Sequence, residues 1–266
     1  MPYWYTRFGT TDLPLCNASQ DLGMGPAATA YSEYPYSVYD ALGAEQAQVK
    51  VPYTLKVEAT INNLNPVILQ TDFYAYRALL GQRALLYRVR DRLPGSIESV
   101  MARLAQFTTR RDSNSPTSLE LSFEFDILKG VWDGTAHSET VTLATSPKTV
   151  TLVNNGNAIQ RQVAITVNAG PTTPMAAIKI ENLTTGHVSS FTYTSNIAVN
   201  MATVFDCGAA TCRYNGTDDF NDFALDAAHT INEWLRLAPG NNSIRITRTD
   251  GNVDSTVVFT YNDAWA

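Results

Sequence analysis

Proton transfer, nucleophilic attack and metal binding need a small set of side chains, and this chain holds few of them in useful arrangements. Its three histidines, His137, His187 and His229, stand apart from cysteine and from one another, with no metal-ligand spacing. His187 follows Gly186 in an expected turn and His137 lies between the two halves of the chain, so both read as solvated loop residues. Of three cysteines, Cys16 is alone, while Cys207 and Cys212 flank Gly208 to Thr211. A disulfide across a hairpin and a metal pair are the sharp alternatives. Reduced thiols are the preferred reading, because two thiols without a third ligand make a poor zinc site. Asp218, Asp219, Asp222 and Asp226 could supply a calcium site or a glycosidase carboxylate pair. Their spacing lacks the glycine and terminal glutamate of a calcium loop, so a solvated acidic loop is expected. There is no nucleophile elbow, phosphate loop, zinc-protease helix or dinucleotide fingerprint. The chain reads as non-enzymatic, with no catalytic residue, cofactor or metal site.

Bulk properties point the same way. The 266 residues can bury two ordinary cores, and the net charge of -6 is spread over both halves, so neither carries the basic footprint of a nucleic-acid binder. Arginines do gather at Arg83, Arg88, Arg90, Arg92, Arg103, Arg110 and Arg111, but Asp91, Glu98 and Asp112 lie among them. Surface or inter-subunit ion pairs are the expected use. The first residues lack the pattern of a secretory signal and no run suffices to span a bilayer, so the expectation is a soluble product made in a cytoplasm, with no membrane insertion.

The elements that would position any site are mostly strands. Residues 1 to about 50 are turn-rich and aromatic, with Tyr31, Tyr34, Tyr36 and Tyr39 around Pro35, and read as an extended arm. From Tyr53 to Ile61 apolar and polar residues alternate, as in a half-buried strand. Thr71 as N-cap and Gly81 as stop predict a helix from about 71 to 80 with Phe73, Tyr76, Leu79 and Leu80 on one face. Leu85 to Val89 and Val100 to Thr108 read as strands around the Pro94-Gly95 turn, the second with a helical alternative in Met101 to Ala105. Leu119 to Ile127 is the clearest strand, since a one-residue slip would bury Glu120, Glu124 and Asp126. A linker is placed at Gly130 to Gly134.

Beyond Val141 the pattern is short strands with turn clusters, favouring a β-sandwich. Candidates are Thr149 to Val153, Gln162 to Val167, Ala177 to Glu181, Ser190 to Thr194, Thr203 to Asp206, Thr211 to Tyr214, Ser243 to Thr247 and Thr256 to Tyr261.

Two stretches carry a resemblance. The first is Thr71 to Arg90 (TDFYAYRALLGQRALLYRVR), followed by the strand around Ala102 to Thr109 and the acidic-apolar strand ending in Trp132-Asp133-Gly134. The second is C-terminal: Asn154 to Asn157 (NNGN), Ile180 to Gly186 (IENLTTG), Asp206, Asn215-Gly216, Trp234 to Ile246 (WLRLAPGNNSIRI) and Phe259 to Trp265 (FTYNDAW). In this order, over roughly residues 50 to 266, they resemble the distal tail protein family of siphophages, with the Leu237 to Asn241 turn as the best single marker. The Tyr-rich arm and the Cys207 to Cys212 hairpin depart from that pattern.

The resemblance implies a mainly β chain: an N-terminal ring-forming, tail-tube-like domain with one short helix, residues 1–140, and a C-terminal galectin-like β-sandwich, residues 141–266. It also implies a homohexameric ring in the virion's tail tip. Its partners would be the tail tube protein, a tail hub or tape-measure protein, and receptor-binding or side-fibre proteins. Candidate subunit contacts are Tyr31, Tyr34, Tyr36, Tyr39, Arg88, Arg90, Arg103, Glu120 and Glu124. The rival expectation is a carbohydrate-binding adhesin presenting Tyr193, Trp234 or Trp265 to a sugar.

Overall fold

Strict alternation over ten residues makes a strand with one apolar face, and that face needs a partner layer. The computed structural model describes residues 3–14, 37–39, 45–48, 53–62, 66–90, 97–111, 118–127, 131–186, 188–226, 234–250 and 253–265. They fall into two compact units, the first Met1–Tyr39 with Ala47–Asp133, the second Asp40–Gln46 with Gly134–Ala266. The fold is mainly β with one short helix.

In the first unit the strands are β1 (Tyr3–Phe8), β2 (Thr11–Asp12), β3 (Ser37–Tyr39), β5 (Tyr53–Asn62), β6 (Arg83–Arg90), β7 (Ile97–Arg111) and β8 (Ser118–Ile127), with β4 (Glu45–Gln48) at the division between units. The main sheet runs β2-β1-β6-β7-β8-β5, all antiparallel. β5 and β8 pair through ten residues, from Tyr53 opposite Ile127 to Asn62 opposite Ser118. Leu55, Val57, Leu121, Phe123, Phe125 and Ile127 are buried, which fixes the register for the reason read from the sequence. β7 is a strand throughout. Val100, Ala102 and Leu104 are buried while Met101 and Arg103 are exposed, so the two-residue period defeats the helical propensity of that stretch.

The helix α1 spans Pro66–Arg77, beginning five residues before the expected start. Proline suits the first helical position, where its missing N–H is no loss. Thr71 therefore lies inside the helix, its hydroxyl donating back to the Val67 carbonyl at 2.9 Å rather than capping an end. Phe73 and Tyr76 join a run of rings: Phe73 to Phe107 at 5.8 Å, Phe107 to Phe123 at 5.1 Å, and Tyr76 edge-on to Phe123 at 5.5 Å.

The second unit is a sandwich of two antiparallel sheets. Its strands are β9 (Trp132–Thr142, whose first two residues belong to the first unit), β10 (Lys148–Asn154), β11 (Ala164–Asn168), β12 (Met175–Asn182), β13 (Ser189–Tyr193), β14 (Ala202–Asp206), β15 (Thr211–Tyr214), β16 (Thr217–Asp218), β17 (Phe223–Leu225), β18 (Gly240–Asp250) and β19 (Thr256–Trp265). One sheet is ordered β16-β15-β14-β11-β19-β9, the other β10-β18-β12-β13-β17. Between them lies a core that includes Ile165, Val167, Ile178, Ile180, Phe191, Phe205, Ile244, Ile246, Val257 and Phe259. The stretch read as a linker, Gly130 to Gly134, overlaps the start of β9, and the two units divide within it, between Asp133 and Gly134. The strand β9 itself escapes notice in the sequence because only Trp132 and Val141 of its eleven residues are buried, so it has no apolar alternation.

Buried amides hold the turn before β18. Asn242 accepts from the Ala238 N–H at 2.7 Å and donates to the Ala238 and Gly240 carbonyls at 2.8 and 3.0 Å. Asn182 donates to the Arg236 carbonyl at 2.7 Å and to Asn242 Oδ1 at 3.2 Å. Asn154 accepts from the Gly156 and Ala264 N–H groups at 3.1 and 3.0 Å.

An ion network crosses β12 and β18. Glu181 accepts from Arg245 at 2.6 and 2.9 Å and lies 3.1 Å from Lys179, which reaches Asp226 at 3.0 Å. The Arg245 hydrogen bonds, opposed by desolvation and helped by Lys179, hold the Glu181 carboxyl below its ordinary value. Its contribution to stability is complete above the usual glutamate range, about 4.3, and is lost as pH falls through the depressed folded value. Glu181→Gln is thus expected to flatten the acid limb of a melting-temperature profile, while leaving its shape above neutrality unchanged.

Candidate assembly interface

The surfaces a copy could offer to its neighbours follow from where the sheets end. Among the described residues β5 pairs on one side only, with β8. β7 pairs with β6 only from Ile97 to Arg103, and Leu104 closes that contact through backbone bonds with Gln82 and Gly81. From Ala105 to Arg111 the same side of β7 has no strand partner among the described residues. Unpaired strand borders of this length invite another strand. β8, carrying Leu121, is not a border but lies between β5 and β7.

The outward face of this sheet is set by register. β5 contributes Thr54, Lys56, Glu58 and Thr60, β8 contributes Glu120, Ser122, Glu124 and Asp126, and beyond the irregularity at Leu104 and Gln106 β7 contributes Gln106, Thr108 and Arg110. Glu58, Thr60, Thr108, Arg110, Glu120 and Ser122 help line a shallow groove of about 390 Å³. Farther along, Leu85 opposite Met101 and the exposed Ile97 give that face an apolar region.

The candidate contacts are placed unevenly. Tyr31, Tyr34 and Tyr36 lie outside the described residues, as do His187, His229 and Cys16. Tyr39 ends β3 and Arg90 ends β6. Glu120 is exposed and Glu124 half-buried, both on the outward face. Arg103 is exposed and forms an ion pair with Asp126. Arg88 differs from expectation: it is 2 % exposed, pairs with the fully buried Glu98 at 2.7 Å and lies 3.9 Å from the Trp132 ring centre. It lies opposite the buried Tyr5 on the neighbouring strand and shares that inward face, so it serves the protomer's interior rather than its surface. Sequence alternation could have flagged this, because Leu86 and Arg88 share a face.

Groups suited to chemistry are committed elsewhere. Asp218 pairs with Arg213 at 2.9 Å, Asp219 accepts from the Tyr193 hydroxyl at 2.6 Å, and Asp226 pairs with Lys179. His137 meets the nearly buried Asp263 at 2.9 Å and stacks on Tyr261. Among the described residues no three His, Cys, Asp or Glu side chains are placed to hold a metal ion. No described helix is long and apolar enough to cross a membrane. Tyr193 is fully buried, which takes it away from a sugar-binding surface, while Trp234 and Trp265 are half-buried and Trp234 stacks on Phe223 at 4.3 Å.

Cys207 and Cys212 are unbonded and buried. Burial pushes both thiols up to about 12. A Cys16→Ser protein is therefore expected to show no reaction with a thiol reagent at pH 8 while folded, and two reactive thiols once denatured; rapid labelling of the folded form would contradict this.

Residues 155–265 match the family described as siphovirus-type tail component, C-terminal domain. No curated protein matches the sequence. Among solved structures, the chain is similar to the Dit protein (gp 19.1) of phage SPP1, described as a paradigm of the hub adsorption apparatus in phages infecting Gram-positive hosts. Identity is 15%, coverage 98% of each chain and the TM-score 0.61. Two structures of the phage P2 baseplate in its activated conformation, with Ca and with Sr, align at 9% identity over 78% of each chain, with TM-scores of 0.36 and 0.35.

Proposed function

We propose that this chain, whose residues 155–265 belong to the C-terminal domain family of siphovirus-type tail components and whose fold is that of a Dit-type distal tail protein, is a non-catalytic ring subunit of a phage tail tip. Six copies assemble through residues 1–140, and residues 141–266 form a galectin-like sandwich projecting outward. The ring joins the tail tube to a hub or tape-measure protein and carries host-recognition proteins at its rim, within the virion.

The observation that carries this reading is the similarity of fold over 98% of both chains, which spans both units rather than the C-terminal match alone. Physical support comes from the first unit, whose strand borders, open among the described residues, suit a protein completed by copies of itself. Mass measurement in solution with negative-stain imaging tests it. A sixfold ring is the expected result. A folded monomer at every concentration that binds a glycan array would instead favour the adhesin reading.

A further inference from the structure

The second unit carries a cavity of its own. About 490 Å³ in volume, it lies on the outward face of β14, β11 and β19 and is lined in part by Ala164, Asp206, Gly208, Ala209, Thr260 and Asn262. Asp206 and Thr260 each stand opposite Ala164 on the strands either side of it, so the three form one row across the face. Their chain neighbours Ile165, Phe205 and Phe259 are fully buried in the core, which turns that row outward. The next row is uncharged, with Thr166 opposite Val204 and Val258. Asp206 is set in place: its Oδ1 accepts from the Gly208 and Ala209 N–H groups at 3.0 and 2.9 Å, and its Oδ2 has no partner among the described residues. The side chains of Thr260 and Asn262 likewise have no hydrogen-bond partner among the described residues. A Cβ at Gly208 would lie 2.8 Å from Gln162 Cγ and 3.2 Å from its Cα, so the loop closes against the segment leading into β11 because that position is glycine. One free carboxylate oxygen, a hydroxyl and an amide are thereby held around Ala164.

We propose that this cavity binds a neutral saccharide. Sugar hydroxyls donate to a carboxylate oxygen through charge-assisted bonds, and they exchange bonds in both directions with the amide of Asn262 and the hydroxyl of Thr260. Asp206 and Thr260 are two strands apart, roughly 9 to 10 Å between backbones, which suits a ligand that lies over Ala164 and carries hydroxyls on opposite edges. Asp206 is the one charged residue of the lining, so a phosphate or an acidic sugar meets repulsion and no cation. A primary amine would use Asp206 but has no acceptor for the Asn262 N–H groups, whereas a hydroxyl both gives and receives. Two N–H groups already hold the carboxylate, so little side-chain freedom is lost on binding. None of Tyr193, Trp234 and Trp265 lines this cavity. Every lining residue belongs to the second unit, so the inference stands apart from the ring reading.

Saturation-transfer NMR on the full-length protein tests this with galactose, glucose and N-acetylglucosamine, and with putrescine and inorganic phosphate as charged comparisons. At least one sugar is expected to show transfer, and Asp206→Asn to weaken its binding about tenfold or more, the worth of one hydrogen bond to a charged group. Asparagine keeps an oxygen for the Gly208 and Ala209 N–H groups, so the loop is retained while the free carboxylate oxygen is lost. Thr260→Val is expected to weaken binding as well. Asp218→Asn, on β16 and paired with Arg213 outside the cavity, should leave it unchanged. Sugar binding that survives both Asp206→Asn and Thr260→Val overturns the site. So does putrescine binding that needs Asp206 while no sugar binds, and so does the absence of transfer to any of the sugars. Solution mass of the same samples separates the two readings: a ring that binds none of the sugars overturns this inference alone, whereas a folded monomer that binds one through Asp206 upholds it and overturns the ring.

Discussion

Asn242→Ala is expected to lower the stability of the second unit by about 3 kcal/mol, read as a fall in melting temperature of about 10 °C. The side chain is fully buried and its amide satisfies groups on both sides of one turn: the Ala238 N–H, and the Ala238 and Gly240 carbonyls. Alanine leaves the buried Ala238 N–H without its acceptor, so the cost is the desolvation of stranded groups rather than one bond's modest net worth. Loss should extend to Asn182, which donates to the same Oδ1. Asn242→Asp is a sharper probe, because a carboxylate keeps the acceptor but places oxygen against two carbonyls. It is expected to be no more stable than the alanine variant. Asn241→Ala, at an exposed position one residue earlier, should change stability by no more than about 0.5 kcal/mol. Equal effects at the two positions would show that the amide network does not hold this turn.

Gly156→Ala should cost about 3 kcal/mol or more in the same unit. A Cβ at Gly156 would lie 1.7 Å from the Ala264 carbonyl oxygen and 2.4 Å from its carbon, both backbone atoms that cannot swing aside. Relief requires moving the turn away from the end of β19. That movement strains the Ala158 N–H bond to Ala264 O and the Ala264 N–H bond to Asn154 Oδ1. Gly240→Ala separates this packing effect from a backbone effect. Gly240 has a φ of +85° and open space where a side chain would go, so its cost should be the left-handed penalty alone, about 1–2 kcal/mol. Comparable losses at the two glycines in chemical unfolding would argue against the close approach at Ala264.

Much of the strand order was legible because alternation is a local signal. Leu55 to Ile61 and Leu119 to Ile127 each declare a buried face, and the same period settles β7 once Val100, Ala102 and Leu104 are seen to alternate. Signals failed where burial is sparse or polar. β9 shows only two buried residues, and the helix start depends on Pro66 rather than on the more conspicuous Thr71. Charge suggests a surface place for Arg88; alternation with Leu86 points inward instead, but the partners that make that burial tolerable, Glu98 and Trp132, are ten and forty-four positions away and no local pattern names them. The asparagines at 154, 182 and 242 lie in the stretches that carry the resemblance, but nothing local marks them as pins, since each also reaches a group far along the chain: Leu237, Arg236 and Leu152 respectively.

By itself the sequence determined which residues alternate, which turns punctuate them and how little chemistry the side chains could do, because period and composition need only neighbours along the chain. Tertiary structure alone decided which strands become borders. β8 looks as suitable for an edge as β5 does, and only pairing with β7 encloses it. A strand's sequence specifies its faces through the pleat, whereas its two hydrogen-bonding sides are chemically alike, and which of them stays open is settled when the sheet assembles.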